Sequence, residues 1–108
     1  MIVEYIRYTI PAEGSEAFEQ AYAQASASLD ASPHCQGYEL SRCVDEPVDE
    51  PASYILRIEW DSAEGHMRGF RSSPEFRAFF AAIGPFVSNI AEMHHYELTS
   101  VVSHADPA

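Results

Sequence analysis

The chain has 108 residues, a hydrophobic fraction of 46% and a net charge of −11, with six arginines and no lysine against seventeen acids. That length makes one domain, able to bury a core yet small enough to gain from self-association. The charge argues against a nucleic-acid or anionic-membrane surface, both of which need a basic patch, and no apolar run approaches the roughly 20 residues that cross a bilayer.

Residues 2–10 alternate as a first strand. Ile2, Ile6, Tyr8 and Ile10 share one face with Glu4, and Val3, Tyr5, Arg7 and Thr9 share the other. Neither face is cleanly polar, so both are expected to be covered. This N-terminus lacks the charged region and cleavage site of a signal peptide, which gives a cytoplasmic expectation. Pro11 ends the strand. Residues 15–29 follow as a helix whose apolar stripe is Phe18, Ala21, Tyr22, Ala25 and Leu29. Residues 30–33 break it, and 37–44 form a second strand.

The acidic, proline-bearing stretch 45–52 reads as a long hairpin connection to a third strand over 53–60. Tyr54, Leu56, Ile58 and Trp60 face one way along that strand, and Ile55, Arg57 and Glu59 the other. Arg57 is expected to meet a carboxylate at a dimer interface. Asp61 and Glu64 have the spacing of a capping box. The helix they open is short, because Gly65 and Gly69 weaken it. Ser73 and Pro74 start another, as N-cap and first helical residue, with Phe76, Phe79, Phe80 and Ile83 at helical spacing. Gly84 and Pro85 interrupt it. A fourth strand over 92–102 carries His94, His95 and Tyr96, and 103–108 is a polar tail expected to fray.

The order β-α-β-β-α-β predicts an α+β, ferredoxin-like domain over 1–102. Both helical segments would cover one sheet face, and a second copy would cover the other, as a homodimer. Cys35 and Cys43 lie eight residues apart and are expected to share one extended segment, about 26 Å long. A disulfide needs about 6 Å between Cα atoms, so both are expected to be reduced and buried as small hydrophobes.

Several chemistries find no support in the residues. Adjacent strand residues point to opposite sides, so His94 and His95 cannot easily share an ion, and no HxH, HxxxH or paired-cysteine spacing accompanies them. No metal is expected. There is no GxGxxG, P-loop, GxSxG or HExxH either, hence no sign of a nucleotide cofactor. His66 reads as an exposed helix histidine or as a general base of suitable pKa. His94, grouped by parity with Tyr96 and Leu98 in the more apolar set, is the better pocket candidate of the histidine pair. Trp60 reads as a core anchor or a pocket wall.

The strand-ending IEW, the following DSAEGHMRGF, then SSPEF with its aromatic helix and a closing strand, together resemble the antibiotic-biosynthesis-monooxygenase superfamily of dimeric α+β barrels. The likeness runs over about residues 1–102. It implies one of several activities: cofactor-free oxygenation of phenols or hydroquinones, heme degradation, or none assigned. The heme-degrading branch uses an asparagine, a tryptophan and a histidine where this chain has Ile6 or Arg7, Gly69, and Phe79 or Phe80, so heme is not expected. Trp60 matches a tryptophan common at the end of the third strand.

What the resemblance then implies is a cofactor-independent monooxygenase of a small electron-rich aromatic. Trp60, Phe70, Phe76 and Phe80 would be walls, His66 or His94 the base, and Tyr8 or Tyr96 the donor to the substrate oxygen. A non-catalytic dimeric module of the same fold, binding a small ligand or a protein, is the alternative.

Overall fold

The computed structural model describes residues 1–47 and 50–103. Residues 48 and 49 of the acidic loop and the tail from 104 onwards, where fraying was expected, lie outside them. Strand β1 is Ile2–Ile10, helix α1 Ser15–Ala31, β2 Cys35–Arg42 and β3 Ala52–Trp60. A π-helical turn, Gly65–Phe70, leads to α2, Pro74–Ile83, then a 3-10 turn, Gly84–Asn89, and β4, Ile90–Glu97. The four strands form one antiparallel sheet in the order β2-β3-β1-β4. This is the α+β ferredoxin-like fold that the element order predicts.

The helices cover one sheet face. Phe18, Tyr22, Ala25 and Leu29 of α1 are buried against Tyr8, Ile10, Tyr54 and Leu56, with Phe79 and Ile83 of α2 closing the layer. The aromatic contacts are edge-on or tilted: Phe18 meets Tyr8, Tyr22 and Tyr54 at centroid distances of 4.8, 5.2 and 4.8 Å. Such pairs add to plain area burial. Helix α1 stops at Ser32, whose extended backbone (φ −80°, ψ 128°) is what a following proline imposes.

Four expectations need correction. Strand β2 begins at Cys35, because a bulge between Cys35 and Gly37 absorbs one residue and lets the pairing run on to Trp60. Strand β4 ends at Glu97 rather than 102, because its partner β1 runs out: Leu98 N–H reaches the Met1 carbonyl at 3.0 Å. The cap of the short helix is Ser62, whose Oγ accepts from Gly65 N–H at 2.8 Å. Asp61 is turned instead to His34 Nδ1, at 3.0 Å. Finally, Cys43 is exposed and Cys35 half-buried, and both are free thiols. Arg57 contacts carboxylates of its own chain, Glu59 and Glu39.

The other sheet face carries Tyr5, Ile55 and Tyr96, exposed to 37, 41 and 51%. Arg7 and Glu92 pair beside them at 2.8 Å. Among the described residues no helix is long and apolar enough to cross a membrane.

Candidate functional site

A cavity of about 170 Å³ lies between the sheet and α2. Its walls are mainly apolar. Ile6 and Tyr8 come from β1, Ile58 and Trp60 from β3, Phe70 from the π-turn, and Phe76, Phe79 and Phe80 from α2. Its polar groups are Glu4, His66 and Arg71, the last with its guanidinium 5.8 Å from the Phe76 ring centre.

Register explains how these groups meet. In the β1–β3 pairing Ile2 stands opposite Trp60 and Glu4 opposite Ile58, so Glu4 and Trp60 are diagonal neighbours on the helix-side face. The indole N–H donates to Glu4 Oε1 at 3.1 Å. In the β1–β4 pairing Glu4 stands opposite His95, whose Nε2 lies 3.4 Å from Glu4 Oε2. His66 enters from the π-turn. Its ring lies 4.5 Å from that of Trp60 and 4.9 Å from that of His95, and its Nε2 is 3.6 Å from Glu4 Oε1.

The π-turn aims His66. Arg71 N–H bonds the His66 carbonyl at 3.2 Å, five residues back, which widens the helix at this point. Gly65 and Gly69 occupy one side, against the His34 ring. A Cβ at Gly69 would stand 2.2 Å from His34 Nε2, and one at Gly65 would stand 2.8 Å from Nδ1. His66 and Phe70, each one residue on, are buried instead. His66 is therefore not the exposed helix histidine that was one of its two readings: it is 3% exposed, and neither ring nitrogen has a hydrogen-bond partner among the described residues.

Burial shifts both buried groups toward neutrality. It pushes the Glu4 carboxyl above its usual range, opposed by the Trp60 hydrogen bond and by the charges of His95 and Arg71. It pushes His66 down to about 4, helped by the same two positive neighbours. His66 is an uncharged imidazole at neutral pH, with a nitrogen lone pair held beside an apolar space.

Of the residues singled out from sequence, Tyr8, Trp60, His66, Phe70, Phe76 and Phe80 border this one cavity. His94 and Tyr96 do not. They lie with Tyr5, Arg7, Ile55 and Glu92 on the opposite, open face of the sheet. Apolarity could not separate the two faces of β4, because the open face is apolar as well. Tyr8 borders the cavity, but its hydroxyl lies 2.5 Å from that of Tyr22, in a fully buried pair. Sequence reasoning missed Glu4, His95 and Arg71. The signal for Glu4 was present: an acid in step with Ile2, Ile6, Tyr8 and Ile10 on the core-facing side of β1. His95 had none without the register.

Comparison with known proteins agrees with the fold. The profile of the antibiotic biosynthesis monooxygenase family matches residues 1–82. The uncharacterized protein YczJ of Bacillus subtilis is 30% identical over 80 residues, which are 74% of this chain and 80% of that protein. HapK of Hahella chejuensis superposes with a TM-score of 0.76 at 14% identity, covering 98% of this chain and all of that one (100%). A mutant of SnoaB, a cofactor-independent oxygenase of Streptomyces nogalater, superposes at 0.62 with 19% identity, covering 97% of each chain. The chain belongs to the antibiotic biosynthesis monooxygenase family.

Proposed function

We propose that the chain is a cofactor-independent monooxygenase of a single-ring, electron-rich aromatic such as a phenol or hydroquinone. The observation that carries this reading is the buried, uncharged and unpartnered His66 at the edge of an apolar cavity. The size supports it: an apolar cavity of about 150 Å³ accepts benzene, and this one measures about 170 Å³.

The substrate supplies the electrons. His66 takes the phenolic proton, and the resulting anion passes an electron to O₂ in a site where water is scarce. Recombination forms a carbon–oxygen bond, and loss of water leaves a quinone. One oxygen atom is thus retained and the other leaves as water, with all four electrons from the substrate. Arg71 is the cationic neighbour placed to steady the anion. The Trp60 N–H is already engaged by Glu4, and the Tyr8 hydroxyl by Tyr22. The indole has no second N–H to offer, and both residues serve as walls.

Oxygen uptake over a panel of phenols and hydroquinones tests the reading, using chelator-treated protein without added cofactor. His66→Ala is expected to lower kcat by roughly 10²–10⁴-fold, the usual worth of a positioned base. Uptake no faster than the uncatalysed oxidation, or a rate unchanged in His66→Ala, removes the proposal.

The engagement of Trp60 by Glu4 and of Tyr8 by Tyr22 also favours a second reading, a non-catalytic module that holds a small apolar ligand. Saturable binding of the same aromatics without oxygen consumption would select it. In either case we propose a homodimer formed through the open sheet face, in a reducing compartment such as the cytoplasm where Cys35 and Cys43 stay as thiols.

A further inference from the structure

Glu4, His66 and His95 come from β1, the π-turn and β4, and each presents one ligand-type atom so that the three lie within 4.8 Å of one another. Metal bonds to imidazole nitrogen and carboxylate oxygen are about 2.0–2.2 Å long, so tetrahedral ligands sit about 3.4 Å apart. Each histidine is already near that distance from one oxygen of the same carboxylate: His66 Nε2 lies 3.6 Å from Glu4 Oε1, and His95 Nε2 lies 3.4 Å from Glu4 Oε2. The two histidines offer ligand atoms within 4.8 Å of each other, and the His95 side chain, 38% exposed on the edge strand β4, has room to adjust.

A second observation points to a ligand independently. Both nitrogens of His66 are buried and have no hydrogen-bond partner among the described residues, although buried polar groups are almost always satisfied. An ion between the three residues would supply a partner for one of the two nitrogens. Trp60 adds an outer-shell contact, since its indole N–H holds the Glu4 carboxylate in place.

We infer that Glu4, His66 and His95 form a binding site for a divalent transition-metal ion. Two imidazoles and one carboxylate suit zinc, cobalt, nickel or ferrous iron. They do not suit magnesium or calcium, which take oxygen ligands. Three protein ligands leave a position for water or another donor, and Glu4 and His66 both border the cavity. The inference goes beyond the oxidation proposed above and does not depend on it. The two meet at one point: ion and proton compete for the same imidazole lone pair, so occupancy is expected to inhibit the cofactor-free reaction.

The test is titration of tag-free, chelator-treated protein with Co²⁺, read by visible absorption and by calorimetry, with Zn²⁺, Mg²⁺ and Ca²⁺ as competitors. Expected is one Co²⁺ per chain, displaced by Zn²⁺ and not by Mg²⁺ or Ca²⁺. Glu4→Gln and His95→Ala, the latter at a part-exposed ring that tolerates truncation, are expected to lose saturable binding. Trp60→Phe is expected to weaken it roughly tenfold, and His94→Ala on the opposite face to leave it unchanged. Thermal melts of each variant separate loss of ligand from loss of fold. No stoichiometric binding by the parent protein, or wild-type affinity in either Glu4→Gln or His95→Ala, overturns the inference. Oxygen uptake with and without Zn²⁺ keeps the two ideas distinct. Uptake that needs an ion would sink the cofactor-free reading and keep the site, whereas uptake without any ion binding would do the reverse.

Discussion

Trp60 joins the two halves of the site through one bond and two ring faces. Its indole N–H donates to the buried Glu4, while the ring lies 4.5 Å from His66 and 5.0 Å from Phe70. Phenylalanine keeps most of the packing and removes the donor, leaving Glu4 Oε1 buried without its hydrogen bond. Trp60→Phe is therefore expected to cost about 1–3 kcal/mol, the range for a buried polar group that loses its partner. Urea unfolding measures it, and an unchanged midpoint would show that the bond carries no weight. Strand parity makes the orientation of Trp60 legible, and it exposes Glu4 as an acid among core positions. What a single strand pattern cannot give is the partner. The meeting of Glu4 with His95 is a property of pairing between chain segments about ninety residues apart, and no local signal encodes it.

At the scale of elements, the π-turn shows where composition misleads. Gly65 and Gly69 read as residues that weaken a helix, but they make room for the His34 ring and for Asp61, the carboxylate bonded to it. In an open helix Gly→Ala would gain about 1 kcal/mol. Here the new Cβ at Gly69 would meet His34 Nε2 at 2.2 Å. Gly69→Ala is thus expected to destabilise by roughly 1–3 kcal/mol, as overpacking does. Adding His34→Ala should return part of that loss, a coupling that a double-mutant cycle reads directly. Additive losses would mean that the glycine serves some other purpose. The strands and long helices were legible because periodicity and proline punctuation mark them. The π-turn was not, because its geometry follows from a ring packed against it by a different element.

The whole molecule leaves one broad sheet face bare. Tyr5, Ile55 and Tyr96 are exposed there to 37, 41 and 51%, with the Tyr5 and Tyr96 rings edge-on at 5.4 Å. An apolar sheet face of this kind is covered in a stable protein. Light scattering is expected to give twice the 12.0 kDa chain mass, and Ile55→Asp or Tyr96→Arg to shift it to the monomer. A parent protein of single-chain mass would refute the proposed association. The element order was enough to read the fold and to expect this second layer. It was not enough to say which set of β4 residues belonged to which face. The same alternation also decides how freely the gene can change. β1 lies inside the sheet between β3 and β4, and it sends Glu4, Ile6 and Tyr8 toward the cavity and Tyr5 and Arg7 toward the bare face. One inserted or deleted codon within it exchanges the two sets, so that a tyrosine enters the site as the carboxylate leaves it. The same event between β2 and β3 only lengthens or shortens a surface loop, at small entropic cost. Length variation among descendants of this chain should gather in that loop and spare the first ten residues.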